Sequence, residues 1–588
     1  MMINYVIKDA WVFMTFRQCF EKRDVAVAGE KFYCISPAIS YPGVKIIDGS
    51  GMYMIPGLID IHMHIESSMT YPREFSRITL PHGTTTVVAD AHEIANVFGM
   101  EGIAGFMDQE TELDIFYAIP SSVPATSERL ETAGASIGEE EVERLAEDSR
   151  VLCLGEVMNF KDLTSQEDTL IKRLVKICSQ GKLADRKLRI EGHCPKITGE
   201  DLCRFIYEGV DADHTQQTPE SVVEKADLGM FLELQHKSLT PQVVEAVCIN
   251  SLYENAALIT DDTMPDQLLK GQLNRIVRQA VLAGMPVEKA IYCATYTPAR
   301  RMHLDDRGLI GPGKLADFVL LEDLDSFEPA AVFKSGECVY GRGRWEREQQ
   351  NREPKPQKPG FTQQDVLHSC FPEHFYHSVH CRRAVLSDFK LTPARPCSGV
   401  RVNVMEIHAF GTATDQVVRE LEVRDGEICW QEAGLSLAVL FERHGKNGNI
   451  AYGLVAGAFK APGAAAATWS HDSHNLLVVG TSPRDMVLAQ NRVIDLQGGY
   501  VAARDGQIRA EACLKVGGIL SDGPLEQLAE ALGQVRQEMR NMGYDNNNEI
   551  MSMSTLSLPV SPSLKLTDFG LLDVKTQQRV GLIEEYLD

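Results

Sequence analysis

The sequence predicts an α/β protein: a (β/α)8 barrel of the TIM type, a small β domain built from both segments that flank it, and an additional C-terminal α+β domain. Three observations carry this. Between Pro56 and Asp306 short apolar runs alternate with helical stretches eight times over about 250 residues. Turn-rich, β-like runs lie on both sides of that stretch. A segment rich in Pro, Gln and Lys then separates a third region.

The N-terminal runs "NYVIKDAWVF", "DVAVAGEKFYCISP" and "GVKIIDGSG" read as antiparallel strands broken by turns. "DDRGLIGPGKLADFVLLEDL", after the barrel, has the same texture, so residues 1–55 and 306–347 are expected to share one sheet. The barrel is expected over 56–305, with strands around Leu58–Ile61, Thr85–Ala89, Ile115–Ile119, Val151–Gly155, Leu188–Glu191, Val210–Asp213, Met230–Leu234 and Ala257–Thr260. A linker, "EQQNREPKPQKPGFTQQD" in character, is expected at 348–362, and the C-terminal domain at 363–588. That domain contains one clear amphipathic helix. Asp522 reads as its cap and Pro524 as its first residue, with Leu525, Leu528, Leu532, Val535 and Met539 on one face and Gly543 as its stop.

Composition excludes several classes. A net charge of −24 with no Lys/Arg block argues against a nucleic-acid partner. No run approaches the roughly 20 apolar residues of a membrane span, and the charged N-terminus lacks a signal-peptide pattern. The 14 cysteines form no CxxC pair, which argues against a zinc ribbon, a disulfide framework and the HxE…PCxxC nucleobase deaminases. Reduced thiols in the cytoplasm are the expectation.

In a barrel, catalytic groups sit at the C-terminal ends of the strands. The first strand ends in "HMH", and residues two apart on a strand share a face, so His62 and His64 point the same way. The second ends in Asp90, His92 and Glu93, and the fourth in Glu156. The fifth ends in His193, the sixth in His214, and the eighth in Asp261 and Asp262. Imidazoles and carboxylates gathered at strand ends suit a divalent metal; an N/O-only set fits zinc, manganese or iron.

This order of residues resembles the amidohydrolase superfamily and, more closely, the bacterial adenine deaminases. The resemblance rests on "PGLIDIHMHIESSM", "HGTTTVVADAHEIANVFG", "GEVMN", "EGHCP", "TDD", "ATYTPA", "GLIGPGKLAD", "SHDSHNLLVVG", "GGYVAARDGQI" and "MSTLSLPVSPSLKLTDFGLLD". It covers nearly the whole chain. Two departures are Ala91 in place of an expected proline and "DADHTQQTPE" where an acidic residue usually follows the histidine.

The resemblance implies a metal set of His62, His64, Glu156, His193, His214 and Asp261, holding two divalent ions (Mn2+ or Fe2+, with Zn2+ open). It implies hydrolysis of adenine to hypoxanthine and ammonia by a metal-activated hydroxide attacking C6, and a homodimer. Glu156 is expected to bridge the metals; Lys161 is the alternative, as the carboxylated lysine used by many relatives. Asp261 is expected as ligand and proton carrier, with Asp262 the alternative. His92 is expected to orient or stabilise the attacking oxygen, with Glu93 beside it structural. Glu66, Ser67 and Ser68 are expected either to reach the purine or to cap a following helix. The cluster His471, Asp472 and His474 closes the barrel mouth, forms a second metal site, or is a turn.

Overall fold

The computed structural model describes residues 2–180, 187–350 and 371–588. Residues 351–362 of the expected linker, and 363–370 after it, lie outside the described residues.

Val6, Ile7, Val12 and Phe13 turn their side chains inward on the first strand, Tyr5–Met14. It pairs antiparallel with Cys19–Ala28 and parallel with Lys45–Asp48 and Tyr53–Pro56. From Tyr53–Pro56 the sheet continues into Phe318–Leu321, Pro329–Lys334 and Glu337–Gly341. Segments from both sides of the barrel thus share eight strands.

The chain then enters a parallel sheet whose order is Arg189–Gly192, Val151–Val157, Asp114–Ile119, Thr84–Asp90, Leu58–His64 and Asp261–Asp262. A second parallel sheet holds Ala212–Asp213, Phe231–Leu234 and Ala256–Leu258. All seven residues of Leu58–His64 and of Thr84–Asp90 are buried, as expected of strands covered on both faces. The stretch 256–262 touches both sheets: its first half pairs with Phe231–Leu234, and Asp261 and Asp262 pair with Met63 and His64. Between the halves, Thr260 donates through N and Oγ1 to the Asp60 carboxylate at 3.3 and 2.6 Å. The C-terminal ends of these strands bring residues 62–64, 90, 156, 193, 214 and 261 together on one side.

The C-terminal region is a ten-stranded sheet with helices Pro483–Leu496 and Leu525–Asn541 packed on it. It shares its core with the barrel: Trp469, Tyr500, Leu532 and Met539 belong to the same apolar cluster as Met63, Ile94 and Phe106. Phe375 stacks on Phe98 at 3.8 Å between ring centroids.

Leu525, Leu528, Leu532, Val535 and Met539 are buried along one face of their helix, as the spacing predicts. The cap differs from expectation. Pro524 is the capping residue rather than the first helical one, and Asp522 does not cap. The acceptor comes from the barrel instead: Glu74 Oε1 takes the Leu525 N–H at 2.9 Å. The same carboxylate holds Arg77, which reaches on to Glu526 at 2.8 Å. Glu74→Ala is expected to cost about 1–2 kcal/mol, the range for a lost helix cap, and to lower the apparent Tm. Glu526→Ala removes only an exposed pair and is expected to change stability by less than about 0.5 kcal/mol. Thermal melts of the two variants check this.

Candidate metal centre and active site

The strand ends bring one carboxylate among four imidazoles. Glu156 Oε1 lies 2.7 Å from His64 Nε2 and 3.5 Å from His62 Nε2. Its Oε2 lies 3.5 Å from His193 Nδ1 and 3.7 Å from His214 Nε2. Asp261 Oδ1 stands 3.5 Å from His64 and 4.0 Å from His62. The ligating atoms of His62, Glu156, His214 and Asp261 all lie within 4.8 Å of one another, and all four residues are buried. Two further groups meet the same distance: His64, His92 and Glu156, and His64, Asp261 and Asp262.

Surrounding residues aim each member. His64 Nδ1 sits 3.0 Å from the Asp90 carbonyl oxygen; donating there, it turns Nε2 to Glu156. The Asp90 carboxylate accepts the Glu156 N–H at 3.1 Å. A Cβ at Gly155 would lie 1.9 Å from Asp90 Oδ2, so only glycine admits this approach. Asp213 accepts the Cys194 N–H at 2.9 Å and pairs with buried Lys225 at 2.7 Å, tying the strand ends of His193 and His214 together. Gln235 donates to Asp261 Oδ2 at 2.6 Å and to the His214 carbonyl at 3.1 Å. Asp90 was legible as a strand-end residue but without this role. Asp60, Asp213 and Gln235 were missed; their only signal was proximity, since Asp60 and Asp213 each precede a cluster histidine by one or two positions.

Electrostatics follow from burial. For Glu156, burial opposes ionisation, and the imidazoles of His214 and His64 overcome it, holding the carboxyl well below its usual range. Asp261 is likewise lowered, burial being outweighed by its contacts with His64 and His214. Burial and the neighbouring His62 push the His214 imidazole down to about 3. His92 is raised to about 10: burial opposes this, and the Asp90 carboxylate, with Asp472 behind it, prevails.

These residues fit a divalent metal. The donors are imidazole and carboxylate, they converge within a few ångströms, and buried His62 Nε2 has no hydrogen-bond partner among the described residues. His193 flanks the group on its more open side, its Nδ1 3.0 Å from His214 Nε2.

Other expected residues fall in two sets. Ser67 Oγ donates to Asp262 Oδ1 at 2.6 Å, and Ser68 bonds the Ile65 carbonyl. Glu66 is fully buried; its Oε1 accepts the N–H of Ile94 in the first turn of helix His92–Phe98, and its Oε2 has no partner among the described residues. Burial, then repulsion by Glu93, raises Glu66 to about 7. Lys161 is elsewhere, its Nζ bonding the Thr576 carbonyl at the surface.

Residues 53–339 match the amidohydrolase family, and residues 411–578 match the adenine deaminase C-terminal domain. An adenine deaminase from Clostridium perfringens is 46% identical over 99% of this chain and 100% of its own length. The chain belongs to the adenine deaminase family. A second member, adenine deaminase 2 of Oenococcus oeni, is 45% identical over 98% of both chains. Among solved structures, a β-aspartyl dipeptidase from Fervidobacterium islandicum AW-1 aligns with TM-score 0.43 and 20% identity, covering 58% of this chain and 97% of that one. No helix among the described residues is long and apolar enough to cross a membrane.

Two substitutions separate the cluster from its surroundings. Gly155→Ala is expected to displace Asp90 and with it Glu156, lowering bound metal at least tenfold. Lys161→Ala is expected to leave metal content at the wild-type level. Metal analysis of the purified variants reads both.

Proposed function

We propose that this chain hydrolyses adenine to hypoxanthine and ammonia at a divalent metal centre held by His62, His64, Glu156, His193, His214 and Asp261. One observation carries the reading: Glu156 and Asp261 converge with buried histidines at parallel strand ends, in a chain aligned end to end with adenine deaminases. The proposal includes a closed (β/α)8 barrel over 56–305, for which the double pairing of residues 256–262 is the support. It also takes in the flanking β domain (1–55 with 306–347), the C-terminal domain from 363, manganese or iron, a homodimer and a cytoplasmic setting.

When bound, the metal supplies a water nucleophile at neutral pH and Lewis-acid assistance. The chain's own residues do the remainder. Asp261 has Oδ2 engaged by Gln235, so Oδ1 is the oxygen left to take the proton of the attacking water and return it to the departing ammonia. His92, beside His64 and Glu156, steadies the oxygen that adds to C6. Glu66 and Ser67, on the turn after the first strand, contact the purine from the barrel side. Burial of the cluster excludes bulk water and strengthens each of these interactions.

Ammonia release from adenine is the test. Activity is expected to disappear on chelation and return with Mn2+ or Fe2+. Absence of activity with either metal in a folded protein would overturn the substrate assignment and redirect the search to cyclic amides. His92→Asn is expected to cut turnover about 10²–10⁴-fold, the range for a lost acid–base group, with metal content near wild type. Equal loss of metal would place His92 among the ligands.

A further inference from the structure

The segment Ser470–Asn475 belongs to the C-terminal region but is buried throughout against the barrel. Its backbone is tied from several sides. His471 N–H donates to Ser554 Oγ at 3.1 Å, and the His471 carbonyl accepts from Ser557 Oγ at 3.1 Å. The His474 carbonyl accepts from the buried Arg443 guanidinium, and His444 Nε2 lies 2.8 Å from the Ser473 carbonyl. Asn475 reaches the Thr132 carbonyl at 2.8 Å.

Two side chains clamp a residue of the barrel. Glu93 Oε1 lies 2.9 Å from His471 Nδ1, and Glu93 Oε2 lies 2.5 Å from His474 Nε2. Glu93 follows His92 at the start of one helix, so the segment stands directly beside the metal-site cluster.

Yet His471 Nε2 and Asp472 Oδ2 are buried with no partner among the described residues. On the barrel side Glu66 Oε2 is in the same condition. With the loop backbone held in place, the segment cannot turn to satisfy them. Orphaned polar atoms on both sides of one junction call for a polar partner that the described residues do not supply.

We propose that the 470–475 segment is the base-reading wall of this site: Asp472 accepts the ring N–H of the five-membered ring of a free purine, and His471 Nε2, oriented by Glu93, bonds a neighbouring ring nitrogen. The inference rests on the deamination reading above. Its chemistry is selective. An ionised carboxylate only accepts hydrogen bonds, and free adenine offers one ring N–H, on its imidazole ring. Substitution at N9, by ribose or methyl, removes that donor and leaves Asp472 facing either the N9 substituent or the lone pair of N7. The C-terminal region thereby selects free bases over nucleosides.

Binding of adenine and 9-methyladenine to the metal-loaded full chain tests this. Wild type is expected to bind 9-methyladenine at least 100-fold more weakly, because a site built around an N–H rejects the analogue lacking it. Asp472→Asn, whose amide also donates, is expected to raise KM for adenine tenfold or more, with kcat and metal content changing far less. Its preference for adenine over 9-methyladenine is expected to fall within about tenfold. Equal binding of the two bases by wild type overturns the proposal without any variant, as does a folded Asp472→Asn that keeps the full preference. Adenine turnover without discrimination would break this inference alone. A folded, metal-loaded wild type that neither binds nor turns over adenine would break the deamination reading and this one with it.

Discussion

Glu156 is a carboxylate buried at a strand end, and burying such a charge alone costs several kcal/mol. Four imidazoles within 2.7–3.7 Å offset that cost. They come from the first, fifth and sixth candidate strands, so the charge is tolerable only if the ends of those strands, which lie in two parallel sheets, meet at one place. Asp90, Gly155, Asp213, Gln235 and Asp60 set the angles at which the groups arrive. Fold and site therefore constrain each other: the architecture gathers the ligands, and the ligands make the buried charge acceptable.

Local patterns were legible where one strand or helix writes them. "LIDIHMH" carries period-two spacing and an apolar run, and it forms a strand at Leu58–His64. The leucine spacing after Pro524 forms the helix Leu525–Asn541. The cap of that helix was illegible because the acceptor, Glu74, lies some 450 residues earlier in the chain. The role of Glu93 was hidden for the same reason. A glutamate beside a histidine reads as a solvated or structural residue, and its partners His471 and His474 reach it only through tertiary packing. Asp213 directly precedes His214, which period-two reasoning assigns to the opposite face, while Asp60 shares the face of His62 and His64 but bonds Thr260, a partner some 200 residues away.

The C-terminal region is not an appendage in this arrangement. Its Trp469 and Tyr500 share one apolar core with Met63 and Ile94, and its buried 470–475 segment meets the barrel beside the cluster. Apolar packing of this extent makes the relative position of the two parts as rigid as either interior. A site assembled across such a junction can place groups on opposite sides of a flat heterocycle, which loops from one barrel face reach less easily. That geometry gives the large C-terminal region a chemical reason to be there.

The central claim is that Glu156 is the hub of a metal site, and anomalous scattering from crystals of the manganese-loaded full chain tests it most directly. The account predicts two peaks flanking the Glu156 carboxylate, within ligand distance of His62, His64, His193, His214 and Asp261. Peaks elsewhere in the chain, with none at Glu156, would contradict it.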